Sequence, residues 1–250
     1  MTYNILDDGK DREGYILEVI QTAHPDVVIL QEVFTEVFLQ SLSHTLGMNY
    51  YMGAGNKQRK VVLLSKLPVL TFKSHHPSFP IWRNVIDAEI EYQPGKTARM
   101  IGVHPVANLG IIFEVWRMWE AKYVTRHIRS GQEMPCLIAG DFNAIAPGES
   151  VRIETMPNRL KWIIYLQGKR VYHFSIQTLL SAGLTDCFRL LNSGEGFTLP
   201  PPNPNARLDY IFVNATMKAY LNTCWVVREP KSVNLASDHY PVMAEFSFTG

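Results

Sequence analysis

The sequence predicts an α+β domain in which two mainly antiparallel β-sheets pack face to face with helices outside. Two observations predict it. Helical and strand patterns alternate along all 250 residues, with no linker or fixed-period repeat to divide them. Most strands in the middle of the chain are joined by short turn signals, such as Gly53-Ala54-Gly55-Asn56 and Gln93-Pro94-Gly95-Lys96, which suit antiparallel neighbours. The length suits a single domain over residues 1–250.

The elements follow in order. Residues 2–6 open the chain as a strand. Residues 11–23 carry Tyr15, Leu17, Val19, Ile20 and Ala23 at roughly helical spacing, and Pro25 ends that helix. Residues 27–30, a β-branched run, read as a buried strand. Thr35 caps a second helix that runs to about Leu46, where Gly47 stops it. Strands are expected near 48–53, 60–65, 69–76, 82–92 and 97–104. Residues 113–130 form the longest helix, along which Phe113, Trp116, Trp119 and Tyr123 make an aromatic stripe. Such a stripe reads as core packing, with a lipid-facing surface as the alternative. A buried strand at 135–140 comes next. The segment 146–182 is mixed, with a helix near 175–182. Strands near 207–213, 221–228 and 240–248 close the chain.

Composition narrows the class. Hydrophobic residues make up 46% and charged residues 19%, so the chain can bury a core and is not disordered. The net charge of +1 gives no global field for nucleic acid, which leaves only local patches for that task. Three scattered cysteines, Cys136, Cys187 and Cys224, have neither metal spacing nor a disulfide pattern; Cys136 reads as core volume. No apolar run reaches the roughly 18 residues of a membrane span. The first residues lack the pattern of a signal peptide. The expectation is a soluble monomer, cytoplasmic or secreted with its signal absent from this sequence.

Polar residues gather at strand ends. The run Gly140-Asp141-Phe142-Asn143 follows the apolar stretch 134–139. On an extended backbone residues i and i+2 share a side, so Asp141 and Asn143 would face one cleft. Asn4 lies in the first strand, and Gln31-Glu32 follows the second. His104 follows Met100-Ile101-Gly102-Val103. Asp209 sits in Arg207-Leu208-Asp209-Tyr210, and Asp238-His239 precedes Tyr240-Pro241-Val242. Each has an ordinary reading: Asn4 in a turn or at an edge, Glu32 at a helix start, His104 in the core, Asp209 paired with Arg207 or a nearby lysine, Asp238 as a turn acceptor. Six such placements at strand ends are better explained together. Glu32 and Asn4 offer hard oxygen ligands suited to magnesium, whereas no Cys/His cluster favours zinc. His239 with a buried carboxylate partner would form a base–orienter pair. Asp141 would fix or deprotonate a water, and Asn143 and His104 would bond a phosphorane.

These segments, from Thr2-Tyr3-Asn4-Ile5 and Gln31-Glu32-Val33 to Ser237-Asp238-His239-Tyr240, resemble the endonuclease/exonuclease/phosphatase superfamily, the DNase I-like hydrolases, over essentially the whole chain. The resemblance implies a four-layer α/β sandwich. It also implies a metal-dependent phosphodiester hydrolase, with magnesium, or else manganese or calcium. Glu32 would be the principal metal ligand with Asn4 alongside, and Asp238 would stand at the metal or a second metal. Asp141 would handle the attacking water and Asn143 the phosphate. His239 would contact the scissile phosphate, with Asp209 orienting it and His104 as a second histidine. Arg83 falls where the DNase I-like branch has a phosphate-contacting arginine; its other reading is a solvated strand residue. Asn205-Ala206-Arg207 stands where apurinic endonucleases carry Gly-Trp-Arg, and no tyrosine occupies the DNase I groove-reading position near Val61-Val62-Leu63-Leu64.

Two regions bear on substrate. In 150–172, Arg152, Arg159, Lys161, Lys169 and Arg170 surround Trp162, Tyr165 and Tyr172. The pattern suits a nucleic-acid backbone, or else an ordinary solvated helix. The favoured substrate is DNA. Phospholipid or inositol phosphate is the alternative, and a catalytically silent binding module is the alternative from another class.

Overall fold

The alternation of apolar strands and amphipathic helices resolves into two six-stranded sheets with helices on both outer faces. The computed structural model describes residues 1–53, 60–75, 84–129 and 133–248. In chain order the strands are β1 (Thr2–Asn4), β2 (Val27–Val33), β3 (Asn49–Met52), β4 (Lys60–Ser65), β5 (Val69–His75), β6 (Val85–Gln93), β7 (Lys96–Val103), β8 (Cys136–Asp141), β9 (Thr185–Asp186), β10 (Asp209–Val213), β11 (Leu221–Val226) and β12 (Val242–Phe246). The helices are α1 (Glu13–Ala23), α2 (Glu36–Leu46), α3 (Ile111–Arg129), α4 (Asn158–Leu166), α5 (Phe174–Ser181), α6 (Cys187–Leu191), α7 (Ala215–Lys218) and α8 (Val233–Ala236).

One sheet has the order β11-β12-β1-β2-β4-β3 and the other β5-β6-β7-β8-β10-β9. Both are mixed. The β1–β2 and β7–β8 pairs are parallel, whereas the other pairs are antiparallel. The reason is connectivity: α1 and α3 are the crossover helices that parallel neighbours require. Between the sheets lies an apolar layer that includes Ile29, Leu63, Ile86, Ala139 and Ile211. Outside the first sheet, α1 and α2 bury Ile16, Val19, Ile20 and Leu39 against Tyr3 and Leu30. Outside the second, α3 and α5 bury Val124, Ile176 and Leu179 against Ile138 and Phe212. The three cysteines are free and buried, and burial pushes the Cys136 thiol up to about 12.

Several expectations shift. Thr35 stands at the N-cap of α2, yet its hydroxyl donates to Asp8 Oδ2 rather than capping the helix. The strand expected from residue 207 begins at Asp209, and the one expected from 240 begins at Val242. The mixed segment contains α4, and α6–α8 and β9 are too short to leave a periodic signal. The aromatic stripe of α3 is not its core face: Trp119 is exposed, and Phe113, Trp116 and Tyr123 are half-buried. The buried face is instead largely polar. Arg117 Nε donates to Glu114 at 2.9 Å, and its Nη1 donates to the carbonyls of Val106 and Asn108. Glu120 accepts the Val106 N–H at 3.1 Å. These contacts pin the loop that leaves His104.

Gly140 is where β7 and β8 approach most closely. Its φ is +158°, and a Cβ there would lie 1.9 Å from the Val103 carbonyl oxygen. Gly140→Ala is expected to lower folding stability by about 2–5 kcal/mol, the sum of overpacking and backbone strain. A urea midpoint equal to wild type would refute this.

Candidate active site

Strand register brings the polar ends together. Asp209, first residue of β10, sits directly opposite Asp141, last residue of β8. In the facing sheet, Asn4 pairs with Gln31 across β1 and β2, and Glu32 follows. Asn4, Glu32, His104, Asp141, Asp209 and His239 are all buried in this small region where the two sheets meet. Asn143 and Asp238 are half-buried, the Asp238 side chain being 43% accessible.

Asp141 is the centre of the group. Its Oδ2 accepts from Asn4 Nδ2 at 3.0 Å and its Oδ1 accepts the Asn143 N–H at 2.8 Å. His104 Nε2 lies 3.6 Å from Asp141 Oδ2 and 3.8 Å from Glu32 Oε1. His239 spans the two opposed aspartates, with Nδ1 2.8 Å from Asp209 Oδ2 and Nε2 3.8 Å from Asp141 Oδ2. Nε2 is also 3.9 Å from Asp238 Oδ1. The ordinary reading of Asp209 paired with Arg207 does not hold.

Two sequence expectations change in geometry. The strand ends at Asp141 and Asn143 turns to φ +51°, so the extended i, i+2 argument does not place its side chain. Its amide reaches the Pro105 carbonyl at 3.3 Å, while its backbone braces Asp141. Glu32 has φ +64° at a break in the β2–β4 register between Leu30 and Val33. Such a bulge re-aims a side chain, here toward the Asp7 N–H, which donates to Glu32 Oε2 at 3.1 Å. Asn4 Oδ1 accepts the Leu6 N–H at 3.0 Å. Arg83 lies outside the described residues.

Sequence reasoning missed the supports. Ser237 Oγ donates to the Asn4 carbonyl at 2.7 Å and accepts the His239 N–H at 3.2 Å, clamping β1 to the His239 loop. Arg12 donates to the carbonyls of Leu6 and Ala236. Arg207, fully buried, donates to Asp186 at 3.0 and 2.6 Å and to Glu149 at 2.6 Å. Its guanidinium also lies over the Tyr210 ring. The visible signal was a charge next to Asp209; its true partners are far away in sequence.

The electrostatics separate the two central groups. Burial pushes the Asp141 carboxyl up to about 7, and Asp209 adds to the rise against the pull of His239 and the hydrogen bonds from Asn143 and Asn4. Burial alone would lower the His239 imidazole, but Asp209 and Asp141 outweigh it and raise it to about 10. The ring is therefore a cation at neutral pH.

Asp141, Asp209 and His239 offer ligand atoms within 4.8 Å of one another, a buried cluster able to hold a metal ion. The 2.8 Å Asp209–His239 contact is of hydrogen-bond length, so the pair is already matched. Carboxylate oxygens of Asp141 and Glu32 also lie 3.6 and 3.8 Å from His104 Nε2. An oxygen-rich set with no thiolate fits magnesium, manganese or calcium.

Residues 1–239 match the model of a family described as Endonuclease/Exonuclease/phosphatase family. Exodeoxyribonuclease III of Haemophilus influenzae is 24% identical over 263 residues, covering 91% of this chain and 92% of that protein. Among solved structures, the 3′ phosphatase NExo from Neisseria bound to product DNA hairpin superposes with TM-score 0.76 at 22% identity, covering 99% and 98% of the two chains. An AP endonuclease from Archaeoglobus fulgidus gives 0.77 at 16% identity, covering 98% and 97%. These likenesses establish the same four-layer fold.

Both raised groups bind protons more tightly when folded. The contribution of Asp141 is therefore fully present below its unfolded value of 3.8 and is lost as pH rises through about 7. That of His239 is present below 6.5 and is lost through about 10. In metal-free protein, the urea midpoint of wild type should fall relative to that of Asp141→Asn between about pH 4 and 7. Parallel profiles across that window would contradict the assignment.

Proposed function

Because this chain belongs to the endonuclease/exonuclease/phosphatase family, we propose that it is a divalent-metal-dependent phosphodiester hydrolase acting on DNA. The observation that carries this reading is the buried Asp209–His239–Asp141 line at the meeting of the two sheets. A structural ion pair needs one carboxylate; this line has a second, Asp141, 3.8 Å from the other ring nitrogen.

Glu32 would hold the metal with Asp141 and Asn4 beside it, and Asp238, half-buried, would serve that ion or a second one. The ion would supply a positive centre for the phosphate oxygens. Asp209 fixes the His239 ring through Nδ1, leaving the Nε2–H to face the phosphate. A cationic ring there stabilises charge growing on the non-bridging oxygens. Asp141, in its ionised form, would accept a proton from the attacking water. Asn143 and His104 would donate to the phosphate, and Arg83 would add a further charge. DNA is favoured because the matching relative is an exodeoxyribonuclease and the superposed phosphatase holds DNA.

The test uses plasmid DNA, an abasic oligonucleotide, sphingomyelin and inositol phosphates, each with magnesium or EDTA. DNA hydrolysis should require the metal. Asp141→Asn and His239→Ala should each lower kcat by about 10²–10⁴-fold. Undiminished hydrolysis in EDTA would remove the metal from the mechanism. Lipid cleavage without DNA cleavage would reverse the substrate.

A further inference from the structure

Away from the strand ends, α3 and α4 turn large apolar side chains toward water. On α3, Ile112, Val115 and Trp119 follow at i, i+3 and i+7, and all three are exposed. On α4, Trp162, Tyr165 and Leu166 follow at i, i+3 and i+4, likewise exposed. The accessibilities are 73% for Ile112, 64% for Trp162 and 77% for Leu166, far beyond partial exposure at the edge of a core. The two helices meet: the Ile111 N–H donates to Gln167 Oε1 at 2.8 Å. Gly110 sits between Phe113 and Ile163, which a Cβ there would approach to 3.8 and 3.9 Å.

Among the described residues, the accessible charged side chains on the two helices themselves are basic; Glu154, ahead of α4, is an exposed acid nearby. The acids of α3, Glu114 and Glu120, are buried and bonded inside the fold. Among the described side chains, the charges that α3 leaves accessible are Lys122 and Arg126. From residue 156 to 185 the sequence has no Asp or Glu, while Arg159, Lys161, Lys169 and Arg170 lie on or just after α4. Lys122 Nζ stands over the Trp119 ring, 4.8 Å from its centroid.

We propose that this two-helix face docks on an anionic phospholipid surface. Apolar side chains would enter the headgroup boundary, Trp and Tyr would sit at the polar–apolar border, and the lysines and arginines would meet lipid phosphates and carboxylates. Charge complementarity selects an anionic occupant, and the exposed aliphatic side chains select a lipid one. A second copy of the chain would bring the same basic ring against itself. A nucleic acid would satisfy the cations and stack on Trp162 and Tyr165, but it has no use for exposed Ile112, Val115 and Leu166. The inference is independent of which phosphodiester the strand-end site cleaves.

The experiment is flotation of the whole chain with vesicles of pure phosphatidylcholine and of phosphatidylcholine with 30 mol% phosphatidylserine (about one anionic lipid in three). The protein should float with the anionic vesicles, at least tenfold more than with neutral ones, and added salt should weaken the association. An Ile112→Ser, Trp162→Ser, Leu166→Ser variant should lose that binding at least tenfold while keeping the wild-type circular dichroism spectrum. Should this triple variant fail to fold, Lys169→Glu with Arg170→Glu, at exposed positions, must lose binding to the anionic vesicles to the same extent. Failure of wild type to float with anionic vesicles, or retention of binding by a folded variant, overturns the proposal. So does binding of single-stranded oligonucleotide or self-association that these substitutions abolish while vesicles bind nothing.

Discussion

The 3.0 Å hydrogen bond from the Asn4 amide to the Asp141 carboxylate is the contact on which the site depends. It joins one sheet to the other at the place where the second sheet buries a charge. A carboxylate at 1% exposure cannot stay ionised without donors, because transfer from water costs several kcal/mol. Asn4 and the Asn143 N–H provide two donors, and the imidazoles of His104 and His239 stand within 3.6 and 3.8 Å. Sheet packing and charge satisfaction are therefore one problem here. If β1 shifts, Asp141 loses its partner; if the Asp141 side chain is removed, the sheets lose a polar tie.

The remaining supports follow from keeping those strand ends still. Ser237 joins the Asn4 backbone to the His239 backbone, so the loop that carries His239 is tied to β1 as its ring is tied to β10. Arg207 does the corresponding task at the start of β10. It bridges Asp186 and Glu149, and Arg189 also pairs with Glu149. A buried ion network of this kind is weak evidence for stability, since an apolar replacement often serves as well. Its effect here is geometric: Asp209, two residues on, is held at a fixed height opposite Asp141.

The apolar strands and the order of the strand-end acids were legible because both are local. A run such as Cys136 to Ala139 announces burial by itself, and Gly140-Asp141 marks its end. The parallel pairs were less legible, since pairing direction depends on where a helix returns the chain. Glu32 and Asn143 were legible as residue types but not in pose. Both adopt positive φ, at +64° and +51°, which tertiary contacts impose against ordinary preference. The outward turn of Trp119 was hidden for a similar reason. Periodicity marks a face of α3, but only the loop after His104 decides that Glu114, Arg117 and Glu120 take the inside.

Environment, rather than residue type, divides the chemistry between Asp141 and His239. A free histidine would be the natural base near pH 7 and a free aspartate would be ionised. Two opposed carboxylates reverse this. They hold a proton on the ring between them, and burial raises the carboxyl that lacks a matched partner. The ring is thereby suited to meet negative charge and the carboxylate to take a proton. A divalent cation near Glu32 and Asp141 would draw the Asp141 value down again. Proton affinity at this site is then set by what occupies it, and the same carboxylate that is costly in the empty protein becomes useful once a positive charge arrives beside it.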